Sequence, residues 1–575
     1  MSKSSARSEL QVDVKDAPTA AMDLQMRRSS EAMHAFLLGQ LAYDAEDSQA
    51  ALKNFIIASE FNDDPAPFLN TKLAELYIAD GQLEKALGEA DKAIQAEPEN
   101  AEHLLLRAGI LDALGRSDET LSLYLKATQL DPRRFDTAIL LSNYYLTKDQ
   151  SARALEVLEA FVKVAPQDAI GWYFLGRAYD RQSQYVKSLA AFREAEKLDA
   201  QNNMFAFESL RTLLKLKRYR EAHDCADEIA RKDPQNLQLR QLAQELGQGD
   251  SGAKQALSQL QFLTEPLGTQ MDARFRIASI EIERRLFRDS VTQLRLVLAA
   301  NPTNAQARYY LASLFAGAGR KKEALQELSK ITKDQELYVK SRTFAAFIMR
   351  QDGDLKRAEV AVREALAFDP ENKNILSYLI LILRDAKKYK EAEELMRKSV
   401  EEDPQNDRLL FNYAILLGDM GREADSQKVI ETVIQLNPKN SDALNYLAYG
   451  LSEQDQNLPR ALELIDRALQ VRPDDGYYLD TLGWIYFKMG KFDQAEATLR
   501  RAAATVTEDI VVQEHFGDSL VKIEKFDEAV EVYRNALERG RDQNDKDEAE
   551  AVARIEKKLS ALIEAFPHLS YAATR

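Results

Sequence analysis

Nine of the fifteen prolines in this 575-residue chain fall on one ruler. Pro98, Pro132, Pro166, Pro234, Pro302, Pro370, Pro404, Pro438 and Pro473 are separated by 34, 34, 68, 68, 68, 34, 34 and 35 residues. Each gap of 68 is two units with an unmarked boundary, at Ala200, Gly268 and Glu336. Proline cannot continue a helix and disfavours helix in the residue before it, so a fixed proline period is a fixed helix-stop period. A chain punctuated in this way builds a stack of like units, each touching chiefly its neighbours, and not one central core. Length alone would suggest three or four ordinary domains; the period overrides that expectation.

Within a unit the apolar residues have helical spacing. Counting Ala169 as position 1, Trp172, Leu175, Gly176, Tyr179, Ser188, Phe192 and Ala195 occupy positions 4, 7, 8, 11, 20, 24 and 27. Small residues at 8 and 20 let two helices approach closely, and the larger residues at 7, 11 and 24 fill the space left. A turn residue near position 15 separates the helices: Gly81, Gly115, Gly319, Gly353, Gly421 and Gly490. Position 20 is alanine at Ala51, Ala86, Ala154, Ala222, Ala324, Ala358, Ala392, Ala495 and Ala529. This 34-residue pattern resembles that of the tetratricopeptide repeat (TPR) family over about 31–541. The resemblance implies an all-α solenoid, a right-handed superhelix of about 14–15 helix-turn-helix units. Fourteen units are recognisable; one, at about 237–268, is degenerate, and a one-residue insertion lies near Asn457–Pro459.

The expected organisation is a polar, disordered leader at 1–30, an N-terminal array of six units at 31–236, and a degenerate unit and hinge at 237–270. A C-terminal array follows at 271–541, and a capping helix with a tail at 542–575. The highly charged run from Asp545 to Ala565 suits a cap, whose outer face no further repeat covers.

Asp plus Glu number 93 against 77 Lys plus Arg, a net charge of −16. That field repels nucleic acid, whose binding depends on cations that displace counterions. The single cysteine, Cys225, excludes an internal disulfide and any multi-cysteine metal site. His34, His103, His223, His515 and His568 lie in different units with no metal-ligand spacing, so no metal or cofactor is expected. No stretch approaches the roughly 18–20 apolar residues of a membrane span. The first 28 residues carry no apolar leader and no lipid-attachment cysteine, which reads as a soluble chain as it stands. Gly247-Gln-Gly249-Asp-Ser-Gly252 spells a dinucleotide-type glycine spacing and a protease-like loop. It follows a helical segment, not a strand, and has no positioned base, so it reads as a lengthened turn and the chain as no enzyme.

A partner is expected on the inner wall, to which family geometry assigns positions 2, 5, 9, 12 and 13. Position 5 is often aromatic: Phe36, Tyr173, Phe207, Phe275, Tyr309 and Phe411. Position 9 divides the chain. It is Gln40, Glu75, Gly109, Asn143, Arg177 and Arg211 early, Ser279 and Ser313 next, then Phe347, Leu381, Ile415, Tyr449 and Trp484, with Tyr477 and Phe487 nearby. Contiguous apolar surface marks a binding site, but the same residues could pack between successive repeats; both readings stand at this point. Arg177 and Arg211, with Arg181 and Lys215, form a basic strip that reads either as a seat for an acidic segment or as a solvated face. No unit has lysine at position 5, so a clamp for chaperone C-terminal carboxylates is not supported.

The run Asp442-Ala-Leu-Asn-Tyr-Leu-Ala-Tyr-Gly450, the motif Pro459-Arg-Ala-Leu-Glu-Leu-Ile, the run Arg472-Pro-Asp-Asp-Gly-Tyr-Tyr-Leu-Asp-Thr-Leu-Gly-Trp-Ile485 and Glu514-His-Phe-Gly517 go beyond the generic pattern. Residues 441–540 resemble a group of proteobacterial TPR proteins, commonly periplasmic lipoproteins of the outer membrane. That group includes adaptors delivering substrates to carboxyl-terminal-processing serine proteases. The resemblance implies a non-enzymatic adaptor that binds a protein or extended peptide, with a protease and its substrates as partners and a periplasmic site. The alternatives are a scaffold for envelope, pilus or polysaccharide assembly, or a self-assembling array.

Overall fold

The computed structural model describes residues 20–45, 47–62, 64–232, 269–540 and 546–571. Among them every regular element is helical, and the helices come in consecutive pairs. The first six pairs are α1 (Ala20–Asp44) with α2 (Ser48–Phe61), α3 (Pro67–Ala79) with α4 (Leu83–Ala96), α5 (Ala101–Ala113) with α6 (Leu121–Leu130), α7 (Phe135–Thr147) with α8 (Ser151–Val164), α9 (Ala169–Arg181) with α10 (Tyr185–Leu198), and α11 (Asn203–Lys215) with α12 (Tyr219–Lys232). Then come α13 (Gln270–Glu283) with α14 (Phe287–Ala300), α15 (Ala305–Gly317) with α16 (Lys321–Ser329), α17 (Tyr338–Gln351) with α18 (Leu355–Phe368), and α19 (Lys373–Asp385) with α20 (Tyr389–Glu402). The series closes with α21 (Asp407–Asp419) and α22 (Glu423–Leu436), α23 (Ser441–Glu453) and α24 (Leu458–Val471), α25 (Gly476–Lys488) and α26 (Phe492–Thr505), α27 (Ile510–Lys522) and α28 (Phe526–Gly540), and the single helix α29 (Lys546–Ala565). α1 begins inside the segment expected to be leader.

Three local devices recur among the pairs. First, an Asn or Asp just ahead of the first helix caps its free amides: Asn372 accepts from the N–H groups of Asn374 and Ile375, and Asp509 from those of Val511 and Val512. Second, position 8 is small where a bulky position 24 lies on it; the exceptions are Leu210 on α11, opposite Ala226, and Ile380 on α19, opposite Met396. A Cβ on Gly176 would stand 2.6 Å from the Phe192 ring, on Gly483 2.5 Å from Leu499 Cγ, and on Gly517 2.3 Å from Tyr533. Third, position 15 takes a left-handed backbone. The six glycines expected there all have φ between 71° and 77°. Asp149, Ser183, Lys217, Arg285, Lys387, Asp455 and Glu524 hold the same place in other repeats with φ between 50° and 62°.

The contacts divide the chain into two bodies, Met1–Ile348 and Met349–Arg575. The hinge expected at 237–270 lies almost wholly outside the described residues, as does the Gly247–Gly252 loop. The division falls later because α13 and α14 pack back on α3, α5 and α7, which ties the stretch after that segment into the first body. In the second body the buried core runs through Leu410, Ile430, Leu444, Leu464, Tyr478 and Ile485, then through Leu499, Phe516, Tyr533 and Ile555.

The turn makes a direct test. A Cβ on Gly353 would meet nothing within 4 Å, so Gly353→Ala isolates the backbone penalty at φ 74°. We expect it to lower stability in guanidinium unfolding by about 1 kcal/mol, and Lys387→Gly, which removes that penalty elsewhere, to raise it.

Candidate protein-binding walls

Positions 2, 5, 9 and 12 of the first helices, which family geometry assigns to the inner wall, have different surroundings in the two bodies. In the first body the wall made by α3, α5 and α7 is covered by the chain itself. Gly109, at position 9 of α5, leaves room for α13 and α14: a Cβ there would stand 2.5 Å from Leu296 and 3.1 Å from the Arg274 guanidinium. Arg274 is 1% exposed and donates to Asp112 at 3.0 Å, to the Tyr124 hydroxyl at 2.9 Å and to Gln293 at 2.8 Å. The Tyr124 hydroxyl in turn donates to Asp112. Asn143, at position 9 of α7, donates to the Gln270 side chain at 2.8 Å and the Thr269 carbonyl at 3.1 Å. Glu75, at position 9 of α3, pairs with Lys72 at 3.0 Å and faces Arg288 at 3.6 Å. The polar early position-9 residues are thus largely internal contacts. A small recess of about 70 Å³ here is lined by Glu102, Asp136, Glu281 and Asp289 along with Arg134 and Arg288.

The basic strip is also engaged within the chain. Arg211 pairs with Glu208 at 2.5 Å and Asp180 at 3.4 Å, Lys215 with Asp180 at 2.7 Å, and Arg177 donates to the Tyr173 hydroxyl at 3.2 Å. Position 5 aromatics are divided. Tyr173 is fully buried among Phe174, Phe192 and Phe205, so it is core and not wall. Phe207 is half-buried beside the core of α11 and α12. Phe275 and Tyr309 are half-buried and lie 5.6 Å and 5.7 Å from Tyr310 and Phe344. Phe347 is 44% exposed and stacks on Phe344.

The second body holds Leu381, Ile415, Tyr449 and Trp484, one on each of α19, α21, α23 and α25. All four are half-buried. Leu381 lines an open cleft of about 530 Å³ with Leu376, Ile380, Leu409 and Leu416, bordered by Arg384, Arg408 and Asn412. Phe411 stands edge-on to Tyr446 at 6.2 Å. Arg350 pairs with Asp385 at 2.6 Å and Arg384 with Asp419 at 3.2 Å, a ladder from each repeat to the next. Trp484 stacks on Phe487 (4.7 Å between ring centres, 8°) and on His515 (4.0 Å, 13°), and its N–H donates to Glu453 at 2.6 Å. His515 meets both Asp480 oxygens at 3.0 Å. Burial alone would lower the imidazole pKa, but the Asp480 carboxylate outweighs it and holds it above its ordinary value. Tyr477 is 52% exposed at the start of α25, and burial pushes the Tyr449 hydroxyl up.

A further contact was not legible in the repeat pattern. α29 lies against α27, the first helix of the last pair. Arg554 and Lys558 each pair with Glu514 at 2.7 Å, and Lys558 with Asp518 at 2.6 Å. Glu514 and Asp518 are positions 5 and 9, so the last repeat's wall is covered. Burial would raise the Glu514 pKa, but these cations hold its carboxyl below the usual range. Among the described residues no group of three or more His, Cys, Asp or Glu could hold a metal, and no helix is long and apolar enough to cross a membrane.

Models of the tetratricopeptide repeat match residues 71–134, 139–203, 275–335 and 350–407, then 383–448 and 477–504, together more than half the chain. The chain belongs to the tetratricopeptide repeat family. Two curated relatives are similar over shorter stretches. A TPR repeat-containing protein of Pseudomonas aeruginosa is 40% identical over 76 residues, 13% of each chain. One of Bacillus subtilis is 24% identical over 167 residues, 29% of this chain and 40% of that one. The chain therefore spans well under half the length of both relatives. Among solved structures, yeast Tom70 is 14% identical with a TM-score of 0.31, covering 94% of this chain and 99% of its own. The Cut9–Hcn1 tetramer of APC/C is 14% identical with a TM-score of 0.35, covering 92% and 98%. The TPR fold is one of protein–protein interaction scaffolds.

In this TPR chain the filled wall holds a titratable group out of place. Glu281 is 2% exposed; burial first, then Asp136 and Asp289, push its carboxyl up to about 9. A raised carboxyl disfavours the folded state above its unfolded value, near pH 4.5, and the penalty grows until pH reaches about 9. Glu281→Gln removes it. We expect that variant to be more stable than the parent by roughly 2–4 kcal/mol at pH 7.5 and indistinguishable from it near pH 4.5, as read by urea unfolding at both pH values.

Proposed function

We propose that the second body is the gripping part of a non-enzymatic scaffold, and that Leu381, Ile415, Tyr449, Trp484 and Phe487 hold an extended protein segment. What supports this reading is the open cleft beside Leu381, an aliphatic recess with Arg384, Arg408 and Asn412 at its edge. Fully burying such a side chain is worth roughly 1.5–3 kcal/mol, and because these are already half-buried a partner gains only a fraction of that from each. Micromolar binding needs about 8 kcal/mol after ordering costs. The apolar wall alone therefore supports loose engagement, and a tight complex draws on the polar edge and on several repeats at once. Tyr477 and Phe487 extend the wall along α25, and Phe347 offers a further aromatic in the first body.

Within this reading the narrower role is that of an adaptor presenting substrates to a carboxyl-terminal-processing protease. Its support is the resemblance carried by Asp442–Gly450 and Arg472–Ile485. Affinity capture with the full chain, followed by mass spectrometry, tests both levels. Leu381→Asp with Ile415→Asp should cut recovery of the captured partner by about tenfold, while Val360→Asp, at a residue 57% exposed on a second helix, should leave it intact. Equal recovery by all three proteins would remove the wall from the account. A partner set without any such protease would remove the adaptor role alone.

A further inference from the structure

The covered wall of the first body carries a separate inference. We propose that the wall of α3, α5 and α7 is a helix-binding surface of which α13–α14 is the built-in ligand. Its external ligand is an amphipathic helix carrying a buried arginine, with an aliphatic side chain three residues further on. The chain itself supplies the template: Arg274 reaches Asp112 and Tyr124, and Ile277 is fully buried one turn later. Gly109 is the opening that admits them, and Asn143 holds the start of the helix through Gln270.

Two observations mark this contact as one that opens. Repeats in a solenoid are held chiefly by their neighbours, and this contact joins residues more than a hundred positions apart, such as Arg274 to Asp112 and Arg284 to Asp168 at 2.9 Å. The neighbour contacts that stack α3 to α12 do not run through it; what it adds to their core is Ala273, Ile277 and Ile280 of α13 and Leu296 of α14. It is also poorly satisfied. Asp112 Oδ1, Asn143 Oδ1, Arg274 Nε and Glu281 Oε2 are buried with no hydrogen-bond partner among the described residues, which weakens a docked contact relative to apolar stacking. Wall and ligand are complementary in charge at the centre, where Asp112 receives the guanidinium; around it Glu102 and Asp136 of the wall meet Glu281 and Asp289 of α13–α14, a like-charge crowding that further weakens the contact.

A labelled peptide with the sequence of residues 270–283 is the probe, and fluorescence anisotropy the readout. The full chain should bind it weakly. Arg274→Ala, whose own helix is loosened, should bind it at least tenfold more tightly, and a peptide with alanine at the Arg274 position should bind neither protein. Asn143→Cys with Gln270→Cys in a Cys225→Ser background, joined by a short bis-maleimide, should not bind it at all. Circular dichroism checks each variant; if Arg274→Ala loses helix, Gln270→Ala takes its place. Equal binding by parent and loosened variant, or no binding by a loosened variant that keeps its helix content, overturns the proposal.

Discussion

The close approach of two helices across positions 8 and 24 is the contact on which the rest of the molecule depends. Gly176 under Phe192, Gly483 under Leu499 and Gly517 under Tyr533 leave no room for a side chain on the first helix. That approach sets the tilt of each pair, and the left-handed residue at position 15 fixes where the chain turns. With both in place the core is continuous from pair to pair, and the outward positions are free to vary. Function in such a fold resides in those outward positions.

The two bodies show how different choices at one position change what a wall can do. Gly109 and Asn143 at position 9 accept another part of the same chain, sealed by Arg274, Asp112, Tyr124 and Gln293. Among the described residues of the second body nothing comparable is docked on Leu381 and Ile415 at position 9, and a cleft stands beside the first of them. At the end of that body α29 closes the series by setting Arg554 and Lys558 on Glu514 and Asp518. The contrast is one of degree, since Trp484, also apolar at position 9, is itself stacked on Phe487 and His515.

Much of the architecture was legible in the sequence, for physical reasons. Proline punctuation and the small residues at 8 and 20 are local requirements, and local requirements leave local marks. The left-handed turn was visible where it is glycine and invisible at Lys217, Lys387 and Glu524, residue types that bear no left-handed signature and hold the conformation only because the neighbouring helices impose it. The return of α13 and α14 onto α3, α5 and α7 was missed because long-range packing has no period. One residue signalled it. In the other recognisable repeats from Tyr77 to Leu520 position 11 is a large apolar residue, but it is Glu281 in this one. A carboxylate at a core position implies that the repeat is packed against something other than its usual neighbours. Tyr173 shows the converse limit: family geometry assigned it to the wall, and the neighbouring Phe192 and Phe205 draw it into the core.

The contrast between a filled and an open wall is tested most directly by thiol labelling in the full chain. Cys225 is half-buried, with burial pushing its thiol up to about 12, and is replaced by alanine. Single cysteines are then placed at Asn143 in the first body and at Leu381 and Ile415 in the second, and maleimide reaction rates are compared under native conditions. The account predicts rapid labelling at 381 and 415 and labelling at 143 slower by orders of magnitude, rising only when α13 is released. Equal rates at the three positions would contradict it.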